Sequence, residues 1–369
     1  MALLARHRRY WIVIFLAALL LGMASELLGP FIGPRAGRRL LAPFPTIPAA
    51  SADWMRLPDA IREYRRNFEE ALGPLAQLDA ILRYRLRSPL TARVAYGLDG
   101  WLFLGDEEAL EQSLGELIRT EQVARLVAIA AAIERDLASE GGRLIVAIPP
   151  NASSVNRSHL PAWASGAPAM TEYDLLLAGL GRAGVVALDL RPPLVAAART
   201  QAVYYRTDTH WNRLGMVIGY NAIMAALGRT DWQWDPARIL RHGDPRTSGD
   251  TARLLGLEGL IEDPELVVDL GAASVPVDRI EIDREQFPSY RMETGRPGPV
   301  VAIIGDSFSR LFPDLLAPHV SRLVWTHHHF CRFDWNMVRS FHPAIVILMP
   351  NERQMPCPTE AWPTGLSER

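Results

Sequence analysis

Short, largely apolar runs alternate with stretches of helical periodicity from about residue 107 onward. The runs over 144–148, 300–304 and 344–349 are apolar throughout, and 185–190 and 320–325 are strand-like runs interrupted by Asp189 and by Ser321 and Arg322. A strand that is apolar at every position is buried on both faces. Helical patterns over 107–140, 173–182, 212–227, 310–316 and 334–341 supply the cover. The alternation therefore predicts an α/β fold, a parallel sheet flanked by helices on both sides. Residues 229–298 break the rhythm with proline, glycine and charge, and read as an insertion of loops and short elements. Upstream, residues 95–104 read as a hairpin about Asp99-Gly100, a pair suited to a tight turn.

Of the 369 residues, 49% are hydrophobic and 22% charged, enough for a sizeable core in one large domain or two smaller ones. A net charge of −2 gives no electrostatic reason to expect nucleic acid as a partner. Cys331 and Cys357 are the only cysteines. They could pair in an oxidising compartment, but their spacing is not that of a zinc site.

The N-terminus carries Arg6, His7, Arg8 and Arg9 ahead of an apolar run over 11–25, which resumes over 27–33 after Glu26. A basic flank before an apolar run is an export signal. Residues 1–35 are expected to remain as a single-pass anchor, since 11–32 is about the length needed to cross a bilayer. The alternative is cleavage near Gly22-Met23-Ala24, leaving a soluble periplasmic chain. Residues 36–90 read as a linker and membrane-proximal amphipathic helices broken at Gly73-Pro74, residues 91–355 as the catalytic domain, and 356–369 as a tail.

The strand at 300–304 stops at Gly305-Asp306-Ser307. Open α/β sheets place ligands at the C-terminal ends of strands, where Ser307 would lie. A serine needs a base in hydrogen-bonding reach, and the base needs a partner that fixes its tautomer. Asp208-Thr209-His210 offers both: in an extended segment, residues two apart project to one side. Asp208 could then hold one imidazole nitrogen while the other faces Ser307. The Ser307 amide is the candidate oxyanion donor. Asp306 reads as a turn former whose carboxylate bonds nearby amides.

These stretches resemble the alginate O-acetyltransferase family. The resemblance is carried by Tyr204-Tyr205-Arg206-Thr207-Asp208-Thr209-His210-Trp211-Asn212, by Ile304-Gly305-Asp306-Ser307-Phe308, and by Tyr96-Gly97-Leu98-Asp99-Gly100-Trp101-Leu102-Phe103. Ser248-Gly249-Asp250-Thr251-Ala252 and Asn351-Glu352-Arg353 are less distinctive matches, and coverage runs over about 54–353. The resemblance implies an SGNH-hydrolase-like domain with Asp and His before Ser, the reverse of ordinary SGNH esterases. It implies Ser307 as nucleophile, His210 as general base and acid, and Asp208 as orienting carboxylate. It further implies acetyl transfer to hydroxyls of an exported polysaccharide, with a membrane-bound O-acyltransferase as donor, at the bacterial inner membrane facing the periplasm, and no metal or cofactor. A carbohydrate acetylesterase with the same triad and a non-catalytic subunit of a modification complex are the alternatives.

Four further residues are candidate substrate contacts. Tyr205 flanks the dyad with a ring that could stack on sugar. Asn151 follows the strand at 144–148, where the family carries lysine. Arg310 sits one turn after the nucleophile. His328 belongs to His327-His328-His329, whose side chains are expected to alternate across a strand end and so to converge poorly on a metal.

Overall fold

The computed structural model describes residues 81–82, 84–86 and 93–368. The proposed anchor at 11–32 and almost all of the amphipathic region lie outside the described residues. Among the described residues, no helix is long and apolar enough to cross a membrane.

From the N-terminal side, strands β1 (Val94–Tyr96) and β2 (Leu102–Leu104) form the expected antiparallel hairpin, and Asp99 and Gly100 take positive φ in its turn. Helices α1 (Ala109–Leu114) and α2 (Thr120–Ser139) lead into β3 (Arg143–Ala147). Then come α3 (Ala152–Val155), α4 (Glu172–Arg182), β4 (Ala187–Leu188), α5 (Arg191–Ala198) and α6 (Arg213–Ala226). The insertion contributes α7 (Pro236–Ile239), β5 (Leu240–His242), α8 (Asp250–Leu254), β6 (Leu266–Val268), β7 (Arg279–Glu281) and β8 (Tyr290–Glu293). The chain closes with β9 (Val300–Gly305), α9 (Phe312–Leu316), β10 (Arg322–His327), α10 (Trp335–Arg339) and β11 (Ile345–Met349).

The seven-stranded sheet runs β4-β3-β11-β9-β10-β8-β7. The first five strands are parallel, but β8 pairs antiparallel with β10, and β7 with β8. The sheet is therefore mixed, which corrects the expectation of a parallel one. The two antiparallel strands come from the insertion, and their exposed, charge-rich edge (Arg279, Ile280 and Glu281 in β7) hides the two-faced apolar signal of a central strand.

The unbroken apolar runs have the reason inferred for them. In β9, Val301 and Ile303 face one core while Ala302 and Ile304 face the other. In β11, Ile345, Ile347 and Met349 oppose Val346 and Leu348 in the same way. Helices α5, α6 and α9 cover the first face, and α2, α4 and α10 the second. Residues after 355 are not a loose appendage: Cys357 bridges to Cys331, and Ala361 and Leu366 are buried in the second core. All five parallel strands point their C-terminal ends the same way, and the turn after β9 opens at that edge.

Candidate active site

The turn after β9 is fixed from three sides. Asp306 leaves the strand in extended conformation, and its Oδ1 accepts the Phe308 N–H at 2.9 Å. Its Oδ2 accepts from Asn351, just past the end of β11, through both the backbone N–H (2.6 Å) and Nδ2 (2.7 Å). The Ser309 hydroxyl donates to the Asp306 carbonyl at 2.8 Å and accepts from Trp325 Nε1 at 2.8 Å. A side chain at Gly305 would place its Cβ 2.5 Å from Ser309 Oγ, so only glycine permits the bend. Ser307 is left exposed at the tip while Phe308 and Ser309 are buried on either side of the turn. Its amide takes no part in the bonds that pin the elbow.

His210 reaches this serine. Its Nε2 lies 2.8 Å from Ser307 Oγ, and its Nδ1 lies 2.6 Å from Asp208 Oδ1. The segment is not extended, however. Tyr204 and Trp211 form an antiparallel bridge, and residues 206–210 bend between them. Asp208 closes the bend by accepting the His210 N–H at 3.0 Å with the same Oδ1 that meets the ring. A short side chain bonding the backbone two residues on is a common turn device, and here it aligns carboxylate and imidazole. Trp211 then anchors the loop: its Nε1 donates to the Phe308 carbonyl at 3.2 Å, and Gly219 in α6 leaves room for its ring. The β1–β2 hairpin supports the other end, the Leu102 N–H donating to the Arg206 carbonyl at 2.8 Å.

The insertion builds the floor of the dyad. Arg246 donates to Asp208 Oδ2 at 2.5 Å and lies 4.7 Å over the Tyr205 ring. The Asp250 N–H adds a bond to the same oxygen at 3.2 Å. The Asp250 carboxylate holds Thr209 by its N–H (2.7 Å) and hydroxyl (2.5 Å), and Asp263 grips Thr207 likewise (2.9 and 2.5 Å). Burial pushes the Asp208 carboxyl upward, but the bond and charge of His210 and the charge of Arg246 outweigh it and hold Asp208 well below the usual carboxylate range. Asp250 moves the opposite way, raised by burial and by the neighbouring Asp208 charge. Asp208 is thus the carboxylate kept ionised against the imidazole.

A family profile described as "SGNH hydrolase-like domain, acetyltransferase AlgX" matches residues 94–332, which hold all of these groups up to the end of β10. The chain belongs to that family. Its fold is the SGNH-hydrolase-like α/β fold. The chain is 30% identical over 187 residues to a protein of Pseudomonas aeruginosa named "Probable alginate O-acetylase AlgJ", covering 50% of this chain and 46% of that one. The namesake in Pseudomonas syringae is 30% identical over 153 residues, covering 41% and 37%. The chain thus spans less than half the length of these curated relatives. Among solved structures, Bacillus cereus PatB1 superposes with a TM-score of 0.53 at 13% identity, covering 71% of this chain and 96% of that one. A DHHW family protein from Eubacterium siraeum gives 0.52 at 12%, covering 72% and 93%. At such identities the likeness concerns the fold.

The remaining candidates of this family member fall in different places. Arg310 is exposed beside the elbow. Asn151 is not at the cleft: it is buried, and its Nδ2 is shared among the Ala109 carbonyl, Gln112 Oε1 and Ser113 Oγ. A buried network behind the strands claimed a residue that the sequence places in a loop. His328 is also withdrawn from substrate. It is 1% exposed, sits 3.2 Å from Gln354 Oε1, and lies 3.9 Å from the inner oxygen of Asp306, beneath the elbow. Tyr205 is 2% exposed, and its hydroxyl donates to Glu265 Oε1 at 2.5 Å. Its ring faces a cleft of about 730 Å³ between the dyad loop and the β5–β6 pair, which Asp208, His210 and Ser307 do not line. Tyr205 therefore acts as the seat for Arg246.

The histidine run corrects a geometric expectation as well. The rings do converge: His327 stacks on His328 at 5.0 Å and meets His329 at 4.7 Å. The chain leaves the strand at His328, so strand alternation no longer applies. Among the described residues the grouping with metal-ligand proximity is instead Asp208, His210 and Asp250, within 4.8 Å of one another. Asp208 already accepts from the Arg246 cation and Asp250 from Thr209, so a metal would have to displace both.

Sequence reasoning missed Arg246 altogether and left Asp250 unplaced. It named Arg353 only within a less distinctive family match and gave it no place at the site, where its guanidinium lies 5.6 Å over the Phe308 ring, itself 4.8 Å from His210. The local charge pattern around Arg246 carries no periodicity that would have singled it out.

Proposed function

We propose that this chain is an O-acetyltransferase that moves an acetyl group through an acyl-serine onto hydroxyls of an exported polysaccharide. The observation that carries the reading is the unbroken chain of contacts from Asp208 Oδ1 through His210 to Ser307 Oγ, at 2.6 and 2.8 Å. Membership of an acetyltransferase family and the names of the alginate O-acetylase relatives support the acyl group and the polymer.

In the first half-reaction, Ser307 Oγ attacks the acetyl carbonyl carbon of the donor as its proton passes to His210 Nε2. The ionised Asp208 accepts from Nδ1–H and stabilises the imidazolium. The carbonyl oxygen gains charge beside the Ser307 N–H. Collapse expels the donor's leaving group, which takes the proton from Nε2. In the second half, a sugar hydroxyl gives its proton to Nε2 and attacks the acetyl-serine, and Ser307 Oγ departs with that proton.

The chain would work in the periplasm, held at the inner membrane by residues 1–35, with a membrane-bound O-acyltransferase as acetyl donor. The basic-then-apolar start of the sequence supports export, as does the bridge between Cys331 and Cys357, since disulfides persist in oxidising compartments. Residues 91–355 are read as the catalytic unit, with the segment after 355 packed into it.

The test is to incubate the full-length chain with a chromogenic acetyl ester, with and without oligosaccharide acceptor. Acetylated oligosaccharide detected by mass spectrometry, and lost in Ser307→Ala, is the expected result. Equal turnover by Ser307→Ala and wild type would end the triad reading. Release of free acetate alone, whatever acceptor is offered, would make the chain an esterase.

A further inference from the structure

The loop after β10 is the feature that the triad does not use. His329, Phe330 and Cys331 all adopt positive φ, at 46°, 50° and 69°. Three successive non-glycine residues in this region are costly, and such strain persists where the surroundings over-determine it. Here the surroundings are visible. The His328 N–H donates to the Gly305 carbonyl at 2.9 Å, so the loop is tied to the base of the nucleophile turn. Three residues on, Cys331 is bridged to Cys357. The result of this double anchoring is that Phe330 stands 47% exposed.

Phe330 is not alone on this flank. Its ring meets His328 edge-on at 5.8 Å, and His328 stacks on His327. Phe287, 36% exposed and contributed by the insertion, stacks on His327 at 4.7 Å with an interplanar angle of 18°. His327 pairs with Gly305 in the sheet register, two residues before Ser307. Arg310 is close enough to act electrostatically on His327. Burial pushes His327 down to about 4, so at neutral pH it is an uncharged aromatic ring. The flank is therefore a run of neutral rings, rigidly held, beginning one strand away from the nucleophile.

We propose that Phe330 and Phe287, at the two ends of the ring run through His328 and His327, are acceptor contacts that each take the apolar face of a pyranose unit of the polymer and so present a sugar hydroxyl to the acyl-serine. This rests on the transferase reading above. The occupant follows from the chemistry. A sugar ring offers a flat patch of C–H groups bordered by hydroxyls, which suits the negative face of an aromatic ring. His329, 4.7 Å from His327, and Arg310, which acts electrostatically on it, supply polar groups beside the run. Continuity with Ser307 makes the acceptor, rather than an unrelated partner, the ligand to be placed here. Because stacking reads the ring face and not its substituents, these contacts should accept neutral and anionic hexose polymers alike.

The test is calorimetric titration of the full-length chain with cellohexaose and with an alginate hexasaccharide. Phe330→Gly removes the ring at a backbone conformation that glycine adopts without penalty, so folding is not at risk. It should weaken both ligands about fivefold to tenfold, the worth of one lost stacking contact. Phe330→Trp should stay within about twofold of wild type, and Phe287→Ala should weaken binding in the same direction as Phe330→Gly. Unchanged affinity in Phe330→Gly and Phe287→Ala, or no binding of either oligosaccharide by wild type, would overturn the proposal. Cleavage of the acetyl ester by wild type against Ser307→Ala reports on the triad separately, so the proposal can fail while the transferase reading stands.

Discussion

Arg246 grips Asp208 Oδ2 at 2.5 Å from the opposite side to His210, and it comes from the segment that breaks the α/β rhythm. The carboxylate is thereby held between a permanent cation and the imidazole it bonds. With only 1% of its side chain exposed, Asp208 would otherwise be a buried charge with one ionisable partner.

Replacing Arg246 by Leu should therefore damage catalysis without touching Ser307 or His210. Turnover is expected to fall about 10²-fold, the cost of a loosened catalytic geometry. The pH–rate profile should move too. Arg246 lowers the Asp208 pKa, so its removal raises it, and the acid limb shifts to higher pH. Linkage has the same sign. The depressed Asp208 pKa contributes stability that is present above the unfolded value and lost as pH falls through the folded one, and the variant forfeits the share that Arg246 supplies. An acid limb that stays in place would show that Arg246 is only a packing residue.

Two carboxylates approach His210 Nδ1, Asp208 at 2.6 Å and Asp250 at 3.6 Å, and they should prove unequal. Asp208→Asn is expected to reduce turnover on the order of 10³–10⁴-fold, because the amide favours the wrong tautomer. Asp250→Asn should cost only about tenfold, through looser Thr209 and the loop it anchors. Comparable losses in the two variants, measured as kcat with the same acetyl ester, would refute the assignment of Asp208 as the sole orienting group.

The disulfide joins β10's loop to the segment beyond β11 across 26 residues. Reduction, or Cys331→Ser with Cys357→Ser, should lower unfolding free energy by about 3 kcal/mol. Guanidinium unfolding with and without reductant measures it. Equal midpoints would mean that packing of Ala361 and Leu366 holds the segment unaided.

How far the sequence reached depended on how local the cause was. The central strands were legible because burial on both faces forces runs such as Val301-Ala302-Ile303-Ile304 to be apolar throughout. The meeting of Asp208, His210 and Ser307 was anticipated from two local motifs, Asp208-Thr209-His210 and Gly305-Asp306-Ser307, each of which carries its residue types within a few positions. Arg246 was not, because what selects it is a carboxylate 38 residues away that only the fold brings near. Asn151 and His328 were misplaced for the complementary reason. Each stands at a strand end, where either a cleft or a buried network can claim it, and the networks through Gln112 and under Asp306 did so.

Glu352 gives the most direct physical test of such a network. It follows Asn351, which pins the elbow, and it is fully buried. Its Oε2 accepts the Asn151 N–H at 2.7 Å and its Oε1 the Ser154 hydroxyl at 3.0 Å, with no cation among the described residues bonded to either. Burial pushes its carboxyl up to about 7, against the opposing pull of those two bonds. A raised acid pKa means that the fold prefers the protonated form. The stabilisation is then full below the unfolded pKa of about 4.3 and is lost as pH rises through the folded value. Wild-type melting temperature should accordingly fall between pH 5 and pH 8, on the order of 5 °C. Glu352→Gln can keep both bonds, its oxygen accepting from Asn151 and its amide donating to a rotated Ser154 hydroxyl, without ever ionising. Its melting temperature should be nearly flat over the same range, and above wild type at pH 8. Parallel pH profiles for the two proteins would show that Glu352 is ionised in the fold and that its charge is satisfied by Asn151 and Ser154 alone.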